Sequence, residues 1–182
     1  MAYLVNFPKW LRSTKLALAP ARTLSLVALI LTASNTHALA LDVGGTAPDF
    51  SLAGATKTVK MAEFKGRVVY LDFWASWCGP CKQSFPFMNA MQSKYGAHGL
   101  DVIAINVDSK ASDATAFLTK VPATFTVAFD PQGSTPKLYK VAAMPSSYLI
   151  SRDGKVLKIH KGFKQDDVAE IEKSIAQALV LK

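Results

Sequence analysis

The chain has 182 residues, of which 50% are hydrophobic and 19% are charged. This composition excludes an intrinsically disordered protein and suits a single domain with an appendage. The formal net charge is +8, but four basic residues and no acid lie in the first 40 residues, which leaves 17 basic and 13 acidic residues, or +4, in the rest of the chain. The basic residues form no arginine-rich stripe with interleaved aromatics, so we expect no nucleic-acid partner.

Residues 1–40 have the three parts of a secretory signal. A basic segment ending at Arg22 precedes an apolar run that is densest at residues 24–31, and Ala38-Leu39-Ala40 then gives the small-x-small pattern of a cleavage site. Polar residues end the apolar run short of the ~20 residues that a membrane span needs. The pattern predicts cleavage, a mature chain that begins at Leu41 and a periplasmic location. The alternative is a retained membrane anchor facing the periplasm.

One domain, residues 41–182, should follow, because neither an internal repeat nor a change of composition appears after Leu41. Residues 68–73 are apolar almost throughout, which predicts a strand covered on both faces. A helix should follow it to about Tyr95, with Pro86 kinking it. Its apolar stripe at helical spacing consists of Phe85, Met88, Met91 and Tyr95.

The second half of the domain alternates strands and helices. In chain order the predicted elements are a strand at 101–107, a helix at 112–120 with Ser112 as its N-cap, a strand at 124–129, strands at 146–151 and 155–162, and a last helix from about 165 to 179. Asp153-Gly154 is a strong hairpin signal between the last two strands. This order predicts an α/β fold with a central mixed sheet and helices on both faces.

The only two cysteines, Cys78 and Cys81, flank Gly79-Pro80. A structural disulfide is not favoured, because closing so small a loop removes little entropy from the unfolded chain. Cys78 follows a buried strand and opens a helix, where backbone N–H groups and the helix dipole stabilise a thiolate. Cys81 lies one turn later and can resolve a mixed disulfide. Glycine permits a tight backbone approach, and proline fits the first turn of the helix.

Two metal-binding alternatives use the same cysteines. Zinc needs four ligands, and beyond the two cysteines the mature chain offers only the distant His98 and His160. Cu(I) accepts two thiolates, so a copper metallochaperone stays open as an alternative. For the oxidoreductase we expect no metal and no cofactor.

The run Phe73-Trp74-Ala75-Ser76-Trp77-Cys78-Gly79-Pro80-Cys81 resembles the active-site strand and loop of thioredoxins. Further motifs narrow the resemblance to the TlpA/ResA-like branch of exported thioredoxin-fold proteins. They are the opening motif at 45–52, Phe85-Pro86 after the second cysteine, an extra helix and strand within 108–140, and the loop, strand and turn at 144–154. The resemblance covers residues 43–180. It implies a thioredoxin fold with an N-terminal β-hairpin and a central αβ insert.

The resemblance also implies roles for individual residues. Cys78 would be the attacking cysteine and Cys81 the resolving one, and Asp72 would be a buried acid that takes the proton of Cys81. A carboxyl on an apolar strand has a raised pKa; the alternative is an acid at a strand end that reaches water. Pro145 would be a cis-proline facing the disulfide. The remaining residues expected to contact the client are Met144, Trp77, Gly79 and Pro80.

Two positions depart from the related families. Relatives of the ResA type commonly carry a glutamate three residues after the second cysteine, where this chain has Ser84. Thioredoxins tend to place a lysine near the buried aspartate, and the corresponding strand position here is Ala104. Without that cation, Asp72 should be easier to protonate.

The predicted function is that of a periplasmic dithiol–disulfide oxidoreductase that reduces the disulfides of exported clients. The resemblance implies a membrane thiol relay as the electron donor and cytochrome c biogenesis as one setting, with apocytochrome c or copper-site proteins as clients. We expect a monomer. A thiol oxidase or isomerase is the main enzymatic alternative.

Overall fold

The computed structural model describes residues 41–181, so the predicted signal segment lies outside the described residues. Within this range seven strands and four α-helices follow one another. The strands are β1 (Ser51–Gly54), β2 (Thr58–Lys60), β3 (Val68–Trp74), β4 (Leu100–Asn106), β5 (Thr126–Phe129), β6 (Ser146–Ile150) and β7 (Val156–Lys161). The helices are α1 (Gly79–Tyr95), α2 (Ala111–Lys120), α3 (Ser134–Leu138) and α4 (Val168–Val180). None of the helices in the described range is both long and apolar enough for a membrane crossing.

All seven strands belong to one mixed sheet with the order β2-β1-β5-β4-β3-β6-β7. The central strands β3, β4 and β5 are parallel, whereas β6 and β7 are antiparallel and close one side. The hairpin of β1 and β2 adds the other edge by pairing with β5. The predicted thioredoxin-type fold is confirmed, with its N-terminal hairpin and with α2 and β5 as the central insert.

The sheet separates two hydrophobic cores. Every residue of β3 is buried, and its side chains alternate between the two faces. Val68, Tyr70 and Trp74 join the core that α1, α2 and α4 cover. Val69, Leu71 and Phe73 join the opposite core, which Tyr139 at the end of α3 also enters. Helices therefore cover both faces, as the apolar pattern of the strand requires.

Three local predictions need correction or addition. Helix α2 begins at Ala111, and Lys110 precedes it without a side-chain cap, so the prediction of Ser112 as N-cap is wrong. Helix α1 ends at Tyr95, as predicted, and continues through Pro86. The short helix α3 was not predicted. A 3-10 turn at Gln165–Asp167 leads into α4, in which Ile171 and Ile175 are buried.

Candidate active site

Cys78 and Cys81 lie where the carboxyl end of β3 leads into α1. They form a disulfide with a sulfur–sulfur distance of 2.01 Å, so the structure shows the oxidised protein. Cys81 is fully buried, whereas 5% of Cys78 is exposed. This asymmetry leaves Cys78 as the sulfur that a partner reaches first.

Cys78 occupies the N-cap position of α1. The backbone N–H of Cys81 donates a hydrogen bond to the sulfur of Cys78 over 3.3 Å. Pro80 stands in the first turn, where an N–H would have no partner within the helix in any case. Because this N–H and the helix dipole both favour negative charge, the site is suited to stabilise a Cys78 thiolate.

The segment before Cys78 is held by Asp108, a residue that the sequence analysis did not single out. One carboxylate oxygen of Asp108 accepts hydrogen bonds from the backbone N–H of Ser76 at 2.9 Å and from the Asn106 side chain at 2.8 Å. The other accepts from the Ser76 hydroxyl at 3.0 Å. The N–H of Cys78 donates to the carbonyl of Ala75 at 3.1 Å. The only feature of the sequence that points to Asp108 is its place directly after a buried strand.

Asp72 lies on the α1 side of the sheet, between Tyr70 and Trp74 in the alternation of β3. Those two residues share a core with Cys81, so Asp72 faces the same layer as Cys81. Only 2% of Asp72 is exposed, and its Oδ2 atom is buried without a hydrogen-bond partner among the described residues. The side chain is therefore almost completely withdrawn from water, which argues against the alternative of an acid that reaches water.

The pKa of Asp72 is raised well above its ordinary value because burial disfavours the charged form. Its partners on the neighbouring strands are Ala104 and Ser147, neither of which carries a charge. The Ser147 hydroxyl shares a hydrogen bond of 2.7 Å with the hydroxyl of Tyr70. The expected pairing of Asp72 with Ala104 is thus present, and no cation on an adjacent strand offsets the burial.

Pro145 lies beside the active-site loop because β6 is antiparallel to β3, with Ser146 opposite Phe73. The peptide bond between Met144 and Pro145 is cis, as the resemblance implies. The carbonyl of Pro145 accepts a hydrogen bond from the N–H of Gly162 at 2.7 Å. Within residues 41–181 neither the N–H nor the carbonyl of Met144 forms a hydrogen bond. Met144 therefore offers the free backbone groups at this position.

The surface in front of the disulfide is open. Trp77 is 69% exposed, and Gly79 and Pro80 are exposed beside it. A Cβ atom added at Gly79 would meet nothing within 4 Å, so no other part of the described chain approaches its backbone closely. Ser84, at the position of the family's glutamate, is buried and donates its hydroxyl to the carbonyl of Cys81 at 3.0 Å.

Comparisons with known proteins agree with this geometry. The sequence model of the redoxin family matches residues 42–177. The thiol-disulfide oxidoreductase ResA of Bacillus thuringiensis subsp. konkukian is 36% identical over 123 residues, which are 67% of this chain and 71% of that protein. ResA of Geobacillus thermodenitrificans is 32% identical over 142 residues, 77% of this chain and 82% of that one. A crystal structure of a candidate thiol:disulfide interchange protein DsbE from Chlorobium tepidum has a TM-score of 0.75 and 59% identity, and it covers 76% of this chain and 99% of its own.

Proposed function

This chain belongs to the redoxin family and is a thiol–disulfide oxidoreductase, and we propose that it acts as a reductant of disulfides in exported client proteins. The observation that carries the proposal is the place of Cys78 at the N-terminus of α1, with the N–H of Cys81 on its sulfur. This arrangement supplies the stabilised and accessible thiolate that disulfide exchange requires. The Gly79-Pro80 dipeptide, which matches thioredoxin, supports the reducing direction.

In the first step the dithiol protein attacks its client. The Cys78 thiolate displaces one sulfur of the client disulfide, and a mixed disulfide between Cys78 and the client forms. The displaced client sulfur leaves as a thiolate and takes a proton from water. The open surface at Gly79 supports direct approach of the client to Cys78.

In the second step Cys81 resolves the mixed disulfide. Its thiol gives a proton to the Asp72 carboxylate, and the resulting thiolate attacks the sulfur of Cys78. The client's second sulfur leaves as a thiolate that takes a proton from water, and the protein is left with the disulfide between Cys78 and Cys81. Burial raises the pKa of Asp72, which brings it closer to the range where a carboxyl both accepts and returns protons near neutral pH.

We infer that an extended client segment lies against the loop that contains Met144 and Pro145. The unpaired backbone groups of Met144 support this placement, because an extended chain can add hydrogen bonds there as at a sheet edge. The carbonyl of Pro145 is already occupied by Gly162. The exposed ring of Trp77 supplies apolar contact area close to the disulfide.

The cellular setting is a proposal that rests on the sequence. The signal-like residues 1–40 support export to the periplasm as a mature chain from Leu41. Each client disulfide that is reduced takes two electrons from the protein, so a dithiol donor must restore Cys78 and Cys81. We propose that a membrane thiol relay is this donor, that apocytochrome c and copper-site proteins are candidate clients, and that the protein works as a monomer.

The reduction potential of the Cys78–Cys81 couple tests the direction of transfer. We expect a value near that of thioredoxin, about −270 mV, from equilibration in defined dithiol–disulfide buffers. The dithiol protein should also reduce the disulfides of a folded test protein. A potential near that of the oxidant DsbA, about −120 mV, would overturn the reductase proposal in favour of a thiol oxidase.

A further inference from the structure

A groove of about 440 Å³ lies beside Cys78, between the first turn of α1 and the length of α2. Its walls include Trp77, Cys78 and Lys82 on the α1 side and Asp113, Phe117 and Lys120 on the α2 side. Ligand-binding clefts typically enclose ~300–1,000 Å³, so this groove is large enough for a short piece of another molecule.

The groove and Pro145 lie on opposite sides of the active-site strand. β3, which ends just before the cysteine pair, has β4 on one side and β6 on the other. α2 follows β4, whereas Pro145 immediately precedes β6. A client that contacts Pro145 on one side of Cys78 can therefore enter the groove on the other side.

The α2 wall of the groove is fixed in place against α1. The ring of Phe117 lies 4.7 Å from that of Trp74 and 5.0 Å from that of Phe85, measured between centroids. On α1, the side chain of Asn89 donates to the carbonyl of Pro122 at 2.9 Å and accepts from the N–H of Thr124 at 2.7 Å. The groove is thus formed before any partner arrives, which lowers the entropic cost of binding.

The groove contains two lysines whose positive charges are not paired within the described range. Lys82 and Lys120 are exposed, and neither forms an ion pair with another residue of the described range. Asp113 supplies the one opposite charge, seven residues before Lys120 along α2, or about 10 Å along the helix axis. An extended chain covers this distance in about three residues.

Resting on the proposed reductase function, we propose that the groove binds the client chain next to its reactive cysteine and selects a segment with an acidic side chain close to that cysteine. A carboxylate close to Lys82 or to Lys120 is attracted by that lysine, whereas a carboxylate close to Asp113 is repelled. Apolar side chains of the same segment pack between Trp77 and Phe117. The occupant is therefore an extended, acidic and partly apolar client segment.

Single-turnover reduction of synthetic peptide disulfides tests this proposal. Three short peptides differ only in whether glutamate, glutamine or lysine flanks the cysteine, and each is supplied as its symmetric disulfide. One dithiol protein and one peptide disulfide give one protein disulfide and two peptide thiols. Each second-order rate is divided by the rate for bis(2-hydroxyethyl) disulfide, which has no flanking residues.

We expect the glutamate peptide to react fastest and the lysine peptide slowest, with about a two- to fivefold difference at each step. The preference should shrink at high salt, because the charges are exposed. In Lys120→Glu the order should weaken or reverse, and in Lys120→Gln it should weaken. The matched control Lys173→Gln removes an exposed lysine of α4 outside the groove and should keep the wild-type order.

The possible outcomes distinguish a failure of the groove proposal from a failure of the reductase proposal. Equal rates for all three peptides, or a preference that survives both Lys120 variants, would overturn the groove as a client site while leaving the reductase function in place. A faster reaction with the lysine peptide would also overturn it and would point to Asp113 as the dominant charge. Failure to reduce even bis(2-hydroxyethyl) disulfide would instead contradict the proposed function.

Discussion

Replacing Asp72 by asparagine should remove a pH-dependent loss of stability from the oxidised protein. Burial raises the pKa of Asp72 well above its ordinary value of 3.8, so the folded protein holds this proton more tightly than the unfolded chain does. Below that ordinary pKa both states are protonated, and the stability contribution is fully present. As the pH rises past it, the unfolded chain releases the proton first, and the free energy of unfolding falls until the pH reaches the folded-state pKa.

The ordinary pKa of aspartate alone sets an upper limit on this loss of the free energy of unfolding. The free energy of unfolding can fall by at most about 1.4 kcal/mol per pH unit for one proton. At pH 7 the total cannot exceed about 4 kcal/mol, the free energy needed to protonate an ordinary aspartate about three units above its pKa. Asparagine keeps the shape and stays neutral, so Asp72→Asn should gain about 1 to 4 kcal/mol over wild type at pH 7.

Urea unfolding of both proteins from about pH 4 to pH 8 measures this difference. The disulfide form is used because its cysteines do not titrate. Carboxyls whose pKa is lowered, such as Asp130 and Glu170, add stability as the pH rises, but they do so in both proteins and cancel in the difference. The control Asp166→Asn changes an exposed acid and should follow wild type. Parallel curves for wild type and Asp72→Asn would refute the reasoning, because Asp72 would then have a partner or reach water.

Five further experiments address the mechanism, the loop and the alternatives. Asp72→Asn should slow resolution of the mixed disulfide about 10- to 100-fold at neutral pH in quenched-flow assays, with attack by Cys78 less affected; an unchanged rate would place the proton acceptor elsewhere. Cys81→Ser should trap covalent client complexes on non-reducing gels and Cys78→Ser none, so equal trapping by both would contradict their division of roles. Asp108→Asn loses one acceptor oxygen and should cost about 1–3 kcal/mol in urea unfolding, and no loss would mean that the loop is held by other contacts. Mass spectrometry of the periplasmic fraction should find a chain beginning at Leu41, whereas an intact chain in membranes would indicate an anchor. Competition with a Cu(I) chelator tests the copper alternative, and Cu(I) binding no tighter than that of a simple dithiol would remove it.

Local sequence pattern was sufficient for the elements that build the sheet around the site. The apolar run of β3 predicted a strand buried on both faces, and all of its residues are buried. The Asp153-Gly154 pair predicted the turn between β6 and β7, which pair in antiparallel register. In both cases the signal lies within the element itself or between two adjacent ones, so no knowledge of distant contacts was needed.

Features that depend on contacts outside the element itself were not predicted. Helix α3 has only five residues, and the buried side chain of Asp130 holds its start by accepting from the N–H of Thr135 at 2.6 Å and from the Ser134 hydroxyl. A helix this short has no apolar stripe to recognise. Ser112 matched the preference for an N-cap, but α2 begins one residue earlier, where the burial of Ala114 sets which face turns inward.

Two buried acids of the sheet, Asp72 and Asp108, have different roles that the sequence alone does not distinguish. Asp72 and Asp108 are 2% and 5% exposed, and both belong to strands or strand ends of the same sheet. Asp108 uses both carboxylate oxygens to hold Ser76, 32 residues away in the chain, and Asn106. Asp72 keeps one oxygen without a partner among the described residues. Because a carboxylate engaged in three hydrogen bonds is not free to exchange a proton with a thiol, Asp108 holds the loop, and Asp72 is the residue that we propose for proton transfer.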